Sequence, residues 1–263
     1  MKPYRKFATV YDQIKADEHS LKMVEYCFKI FRKFNIKPKT GLDLCCGTGS
    51  AIKRFQQKGI LMSGLDQSPQ MLKEAAQKLK SYKVTLYQQS LPNFRIYDAY
   101  NKRRLAHFDL ITCFYDSLNY LKSQRELKTS FLSVYKHLSD EGWFIFDMNT
   151  PPALKIIWGS QVFANVTDDL AWIWKNNYNK KDTSATLKTT FFKKKGRLWE
   201  RFDETHIEKA YENQTIKKLL KESGFHIKGF YRCFSFAQPT TKTYRICGIV
   251  KKNPINHKIK IPL

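Results

Sequence analysis

Within residues 41–50, "GLDLCCGTGS", an acid, two adjacent thiols and two glycines one residue apart sit on a short apolar run. Three chemistries use such a set: thiol redox or metal ligation at Cys45 and Cys46, ligand binding at a glycine turn, or plain strand-end packing. The other cysteines and histidines weigh against the first. Cys27, Cys45, Cys46, Cys113, Cys233 and Cys247 form no C-x-x-C pair, neighbouring cysteines are badly placed to bridge each other, and the six histidines show no His-x-x-x-His spacing. No metal site or disulfide framework is expected, and the cysteine pair reads as packing. Gly47 and Gly49, by contrast, would let a backbone approach a ligand where a Cβ would collide. Asp66 follows Asp43 by 23 residues, near the spacing at which a second-strand acid accepts hydrogen bonds from ribose hydroxyls.

Two nucleotide motifs fail. Read from Gly47, G-x-G-x-x-G reaches Ile52 where a third small residue is needed, and no G-x-x-x-x-G-K-[ST] pattern occurs. What remains is an acid at a strand tip, a turn with two glycines, and an acid one strand later.

The elements that position these residues follow from periodicity. Leu21, Val24, Phe28 and Phe31 predict an amphipathic helix over about 18–35, ending before Pro38. Strands are predicted at 41–45, 60–65, 84–87, 108–114 and 143–147, with helices at 51–58, from Ser68-Pro69, and at 126–138. Strands alternating with helices mean a parallel sheet covered on both faces. Beyond Pro151-Pro152 the texture becomes alternating and aromatic, around 170–178, 186–194 and 197–209, with Lys195-Gly196 as a turn; this predicts an antiparallel meander. A helix over 213–223, closed by Gly224, leads to two last strands near 225–234 and 242–250.

The chain has 263 residues, 42 % of them hydrophobic, which is enough to bury a sizeable core. No apolar run approaches the roughly 18 residues of a membrane span, and residues 1–15 hold no apolar leader core, so a cytoplasmic protein without a membrane partner is expected. Lysine and arginine exceed acids by 47 to 23, a net charge of +24. Such an excess attracts polyanions, nucleic acid among them; because the lysines run from Lys2 to Lys260 rather than in one tract, a lysine-rich proteome explains them as well.

"LDLCCGTGS", "GLDQSPQMLKEA", "FDLITCFYDSLNYL" and "GWFIFDMN" resemble, in order, the motifs of class I S-adenosylmethionine-dependent methyltransferases. "YRKFATVYD" and "RFDETHIEKAY" resemble the N-terminal arm and the cap-to-helix segment of one bacterial subgroup of small-molecule or unassigned function. The resemblance implies a doubly wound, Rossmann-like α/β fold with a seven-stranded sheet, mostly parallel with the last strand antiparallel, and a small antiparallel β cap. Residues 1–150 and 210–252 would form the core with its helical arm, 151–209 the cap over the acceptor, and 253–263 a basic tail.

The implied cofactor is S-adenosylmethionine, leaving as S-adenosylhomocysteine. By position, Asp43 would order the glycine turn and meet the methionine end of the cofactor, with Cys45, Gly47, Thr48 and Gly49 forming that turn. Asp66 would hold the ribose, Gln67 and Met71 would lie against the adenine with Ser90 able to hydrogen-bond it, and Leu91 and Phe114 would also belong to the cofactor-binding set. The Cys113 carbonyl would face the cofactor ammonium, and Tyr11 would close over it from the arm. The sequence departs from the family at Cys45, usually Gly or Ala, and at Ser90, usually Asp. Tyr115, Asp116 and Asn119 stand where an acceptor would lie, although Asn119 and Tyr120 equally suit a helix start. Methyl transfer from a sulfonium is an in-line displacement that needs positioning rather than an enzymatic nucleophile. Three functions stay open: methylation of a small molecule, methylation of tRNA or rRNA through the basic surface, and non-catalytic binding of the cofactor by a regulator. The acceptor and the oligomeric state are not readable.

Overall fold

The structure, a computed structural model, describes residues 4–253. Apart from Asn253, the tail expected over 253–263 lies outside the described residues. An N-terminal arm with a 3-10 turn at Phe7–Val10 leads into α1 (Glu18–Phe34). Met23, Val24, Cys27, Ile30 and Phe31 form the buried stripe of α1, and the helix ends where Asn35 turns left-handed.

Next come β1 (Thr40–Leu44), α2 (Ser50–Gln56), β2 (Leu61–Asp66), α3 (Pro69–Lys78), β3 (Leu86–Gln88), β4 (Phe108–Cys113), α4 (Gln124–His137) and β5 (Leu138–Asn149). Ser68 caps α3, its Oγ accepting from the Met71 amide at 3.2 Å, with Pro69 in the first turn where its missing N–H costs nothing. After a short π-helical turn at Ala153–Trp158 follow β6 (Val162–Val166), β7 (Leu170–Asn179), β8 (Ser184–Lys195), β9 (Leu198–Lys209), α5 (Asn213–Glu222), β10 (Phe225–Arg232) and β11 (Arg245–Lys252).

Two sheets result. The larger runs β10-β11-β5-β4-β1-β2-β3; the five strands from β3 to β5 are parallel, and β11 lies antiparallel between β5 and β10. Side chains alternate across it with period two. Leu110 and Ile145 pack with α1, α2 and α3, whereas their neighbours Ile111, Phe144 and Phe146 pack with α4 and α5. Strand order reverses between β1 and β4, which opens a crevice at their carboxyl ends, where an open α/β sheet holds its ligand. The smaller sheet, β6-β7-β8-β9, is antiparallel throughout.

Two elements differ from expectation. β5 starts at Leu138, directly after α4, instead of at 143, because Phe108 on β4 already pairs with Leu138. β6 was not predicted; every residue in it is exposed, so the strand lacks the apolar contrast that periodicity detects.

One side chain ties the sheet to the crevice. Asp147 on β5 is fully buried and accepts from four groups: the Tyr115 amide at 2.7 Å, the Asp116 amide at 3.4 Å, Arg245 of β11 at 2.5 Å and His19 Nε2 of α1 at 3.2 Å. Tyr115 and Asp116 both have positive φ, 56° and 53°, a conformation that side chains disfavour and that needs such support. Burial opposes the Asp147 charge, but Arg245 and His19 outweigh it and hold the carboxyl down at about 2. A carboxyl lowered on folding stabilises the protein above its unfolded value of about 3.9 and loses that contribution as pH falls through its folded value. Asp147→Asn is therefore expected to lower stability by about 3 kcal/mol at neutral pH and to flatten the acid limb between about pH 4 and pH 2. Urea midpoints of both proteins across that range check this; superimposable curves would contradict it.

Candidate functional site

Two adjoining cavities, each partly open to solvent, lie above the crevice. The first, about 410 Å³, lies at the carboxyl ends of β1, β2 and β4. Its floor is the turn after β1, where Cys45, Gly47 and Gly49 take positive φ of 54°, 53° and 78°. Cys45 thus stands in a conformation that suits glycine, which accounts for the smaller residue usual there in the family. The two glycines serve different ends. A Cβ on Gly47 would meet nothing within 4 Å, so its face is open, whereas one on Gly49 would lie 2.8 Å from Leu79 Cδ1. Gly49 lets α2 pack on α3 and does not line the cavity, contrary to the expectation that both glycines admit a ligand.

Asp66, at the end of β2, accepts from the Gly47 amide at 2.9 Å and the Ser68 amide at 2.8 Å. Burial raises its carboxyl above the ordinary range, and those backbone donors partly offset the rise. Asp43 stands behind the turn. It is buried, accepts from Thr112 Oγ1 at 2.6 Å rather than from the turn's amides, and burial pushes it up to about 7 against that one hydroxyl. Tyr11, Cys45, Thr48, Gln67, Met71, Ser90, Leu91, Phe114 and Tyr115 all line the first cavity; Asp43, Gly49 and Cys113 do not. Cys113 is buried at the end of β4, its thiol raised by contact with Cys45 and by burial.

The N-terminal arm roofs this cavity and is tied at several places, among them Ser68 Oγ donating to the Tyr4 carbonyl at 2.7 Å and Ser50 Oγ donating to Asp17 at 2.6 Å. Thr48 Oγ1 donates to Asp12 at 2.7 Å, and Lys78 bridges Asp12 at 2.6 Å and Thr48 at 2.9 Å. At the other end, the Glu204 carboxylate of β9 accepts from the amides of Tyr4, Arg5 and Phe7 at 2.6, 2.9 and 3.0 Å.

The second cavity, about 330 Å³, lies between the arm, the turn after β4 and the smaller sheet. Tyr4, Tyr11, Tyr115, Tyr120 and His206 line both cavities and so form their common wall. Tyr4 and Tyr120 share a hydrogen bond of 2.7 Å, and Tyr120 meets His206 Nδ1 at 2.9 Å. Burial holds His206 down at about 4, hence neutral at physiological pH. Asp116 faces the second cavity; it pairs with Arg245 at 3.1 Å and accepts from Asn149 Nδ2 at 2.7 Å. Asn119 is buried away from both. Its amide group donates to the Asn149 and Lys209 carbonyls at 3.0 and 2.9 Å and its oxygen accepts from the Asn149 amide at 2.9 Å, so it fastens the turn to β5 and β9. The expected trio therefore divides: Tyr115 and Asp116 line a cavity, and Asn119 holds the backbone behind them.

Sequence reasoning missed Glu204, Glu208, Asn149, Asp147 and Arg245. In "RFDETHIEK" strand spacing puts Phe202, Glu204, His206 and Glu208 on one face, and only the structure shows that face to be the buried one. Acids on a buried strand face are unusual and mark either a partner or a site.

Comparison with known proteins agrees with this geometry. Residues 42–144 match a methyltransferase domain family. A crystal structure of an S-adenosylmethionine-dependent methyltransferase from Clostridium acetobutylicum ATCC 824 superposes with a TM-score of 0.83 at 33 % identity, over 96 % of this chain and 100 % of that one. "Putative methyltransferase YqeM" of Bacillus subtilis (strain 168) is 29 % identical over 249 residues, 92 % of this chain and 94 % of its own. Over 101 residues, 38 % of each chain, the identity is 30 % with the dTDP-3-amino-3,4,6-trideoxy-alpha-D-glucopyranose N,N-dimethyltransferase of Streptomyces venezuelae. A glycine turn and acid at the sheet's switch point, within a fold shared across the full length of the Clostridium enzyme, place this chain in the family of S-adenosylmethionine-dependent methyltransferases, with S-adenosylmethionine as its cofactor.

Proposed function

We propose that this enzyme transfers a methyl group to a small molecule held in the second cavity. The observation that carries the reading is that Tyr4, Tyr11, Tyr115, Tyr120 and His206 line both cavities: the two spaces adjoin, so that a donor in one can be brought against an acceptor in the other. Residues 151–209 act as the cap over the acceptor, and 1–150 with 210–252 as the donor-binding core. The partial likeness to an enzyme named for a nucleotide-linked sugar supports a small acceptor.

The first cavity suits the cofactor. Its volume of about 410 Å³ falls in the range of small-molecule sites, and Gly47 presents bare backbone where a side chain would intrude. S-adenosylmethionine supplies an electrophilic methyl carbon on a sulfonium. Asp66, with a lone pair left on each oxygen beyond its two backbone bonds, holds the ribose hydroxyls. Met71, Leu91 and Phe114 give the adenine an apolar slot, with Gln67 and Ser90 at its polar edge. Cys45, Gly47 and Thr48 lie beneath the methionine end, and Tyr11 covers it; Cys113, which does not line the cavity, is given no contact with the ammonium. Asp43 acts through Thr112 by fixing the strand tip. With both reactants positioned, an in-line displacement asks for no enzymatic nucleophile.

The net charge of +24 motivates a second reading, an RNA acceptor. The lining of the second cavity favours the first: it is largely aromatic, carries Asp116 and Glu208, and its one basic side chain, Arg245, is already paired with Asp116 and Asp147, which suits a phosphate backbone poorly.

Two experiments test these assignments. Asp66→Ala is expected to weaken S-adenosylhomocysteine binding roughly tenfold to a hundredfold, since a charge-assisted hydrogen bond to the ribose is lost; calorimetry giving the wild-type affinity would remove Asp66 from the site. With methyl-labelled cofactor and native extract, label is expected in the small-metabolite fraction. Label recovered in tRNA or rRNA would replace the small-molecule reading with the RNA one, and no turnover at all would leave a binding protein.

A further inference from the structure

The second cavity carries a chemical preference. Glu208 reaches it from β9, buried, with Asn149 Nδ2 donating to it at 2.9 Å. The same amide group donates to Asp116 at 2.7 Å, so one NH₂ bridges two carboxylates. Arg245 sits at 3.1 Å from Asp116 and 2.5 Å from Asp147, and His19 also pairs with Asp147. The fixed cation is therefore shared by Asp116 and Asp147, and Glu208 is the acid left without one. Burial first and Asp116 second push its carboxyl well above the ordinary range.

A second, independent feature marks the cavity as a ligand site. Among the described residues five buried side-chain polar atoms lack a hydrogen-bond partner, and three of them, Trp174 Nε1, Asn176 Oδ1 and His206 Nε2, belong to residues lining this cavity. Asn176 and His206 are more than nine-tenths buried, and the nearest acid to His206 Nε2, Glu204, lies 3.6 Å away, beyond hydrogen-bond reach. Unpartnered buried groups cost free energy that a ligand's polar groups would recover. Aromatic faces, including Trp158, Trp172 and Trp174, make up much of the remaining wall, and such faces attract cations.

Resting on the small-molecule reading above, we infer that the acceptor is a primary or secondary amine, seated as its ammonium against Glu208 within the aromatic wall. An ammonium supplies the charge that Glu208 lacks, and its N–H groups fit acceptors such as Asn176 Oδ1. Glu208 also solves a proton problem. The bound ammonium gives one proton to the Glu208 carboxylate, freeing the nitrogen lone pair to attack the methyl carbon. The N–C bond forms as the C–S bond breaks, the C–S pair stays on sulfur as the neutral thioether, and the product leaves as the methylated ammonium. An aliphatic alcohol is a far weaker acid than an ammonium, so a buried carboxylate serves it poorly as a base.

The test uses matched pairs of probes: cyclohexylamine and cyclohexanol, phenethylamine and phenethyl alcohol, glucosamine and glucose. Binding to the S-adenosylhomocysteine-loaded protein is read by saturation-transfer NMR and titration, and S-adenosylhomocysteine affinity by calorimetry on the same sample. The amine of at least one pair is expected to bind about tenfold more tightly than its hydroxyl partner, as a charge-assisted hydrogen bond predicts. Glu208→Gln should abolish that preference with cofactor-product affinity intact, and Glu208→Asp, which keeps the charge, should retain most of it. Equal binding of amines and alcohols to the wild-type protein overturns the inference and leaves the small-molecule reading standing. A preference that survives in Glu208→Gln overturns the role of Glu208. Should Glu208→Gln fail to bind S-adenosylhomocysteine, the wild-type pairs and Glu208→Asp decide alone, loss of preference in the latter counting against the inference. If no probe of either kind binds while S-adenosylhomocysteine does, both the inference and the small-molecule reading fall.

Discussion

The carboxylate of Asp147 is the point on which the rest of the site depends. It sits on a central strand, shut off from water, at a place where β5, β11, α1 and the turn after β4 converge. A buried ion pair seldom adds net stability, because removing both charges from water costs several kcal/mol. What Asp147 supplies is geometry. Two consecutive residues with positive φ would relax to an ordinary turn without a fixed acceptor for their amides, and Tyr115 and Asp116 would leave the cavity walls. Arg245 answers the charge and continues to Asp116, so the anchoring of the turn and the electrostatics of the second cavity form one network.

The arm depends on that frame in turn. Its ties to β9 and to the cofactor turn differ in strength. Glu204 is buried and accepts three backbone amides, bonds that are charge-assisted and little screened. The Asp12–Lys78 pair at the other end is partly open to solvent, with side chains 41 % and 21 % exposed, so solvent and salt weaken it. At the cofactor turn the ionic tie is thus the looser one, although buried Ser50 adds a hydrogen bond from its Oγ to Asp17 at 2.6 Å. Ligands that exchange through the roof meet the screened tie at lower cost than the buried one.

Much of the core could be read from the chain because its signals are local. The leucines that flank Asp43, the Ser68-Pro69 helix start and the Gly224 helix end each depend on neighbours within a turn or strand, and each element stands within a few residues of its expected place. The paired acids Asp43 and Asp66 were visible because the strands that carry them are consecutive. The second cavity was less accessible. Glu204 and Glu208 alternate with Asp203, Thr205 and Ile207, and without tertiary partners nothing says which face of β9 turns inward. Asp147 and Arg245 lie 98 residues apart and pair only because β11 inserts beside β5. Gly49 was misread for a related reason: a glycine in a turn signals close approach, but whether to a ligand or to Leu79 is set by α3.

Charge is distributed on two scales that act on different ligands. Among the described residues, the acids Asp43, Asp66, Asp116, Asp147, Glu204 and Glu208 are buried, against Lys252 among the lysines. The excess of base, already +24 overall, is therefore still larger on the surface than the formal sum implies. At physiological salt that field fades over about 8 Å, so it governs encounter, favouring anionic molecules, and loses influence inside the roofed cavities. There the short-range terms take over, and they have the opposite sign: carboxylates at the cavity edge, indole and phenol faces around them, and one cation already shared between two acids. An acceptor that carried an anionic group to meet the surface and a basic nitrogen to meet Glu208 would satisfy both scales at once, which a uniformly charged ligand of either sign would not.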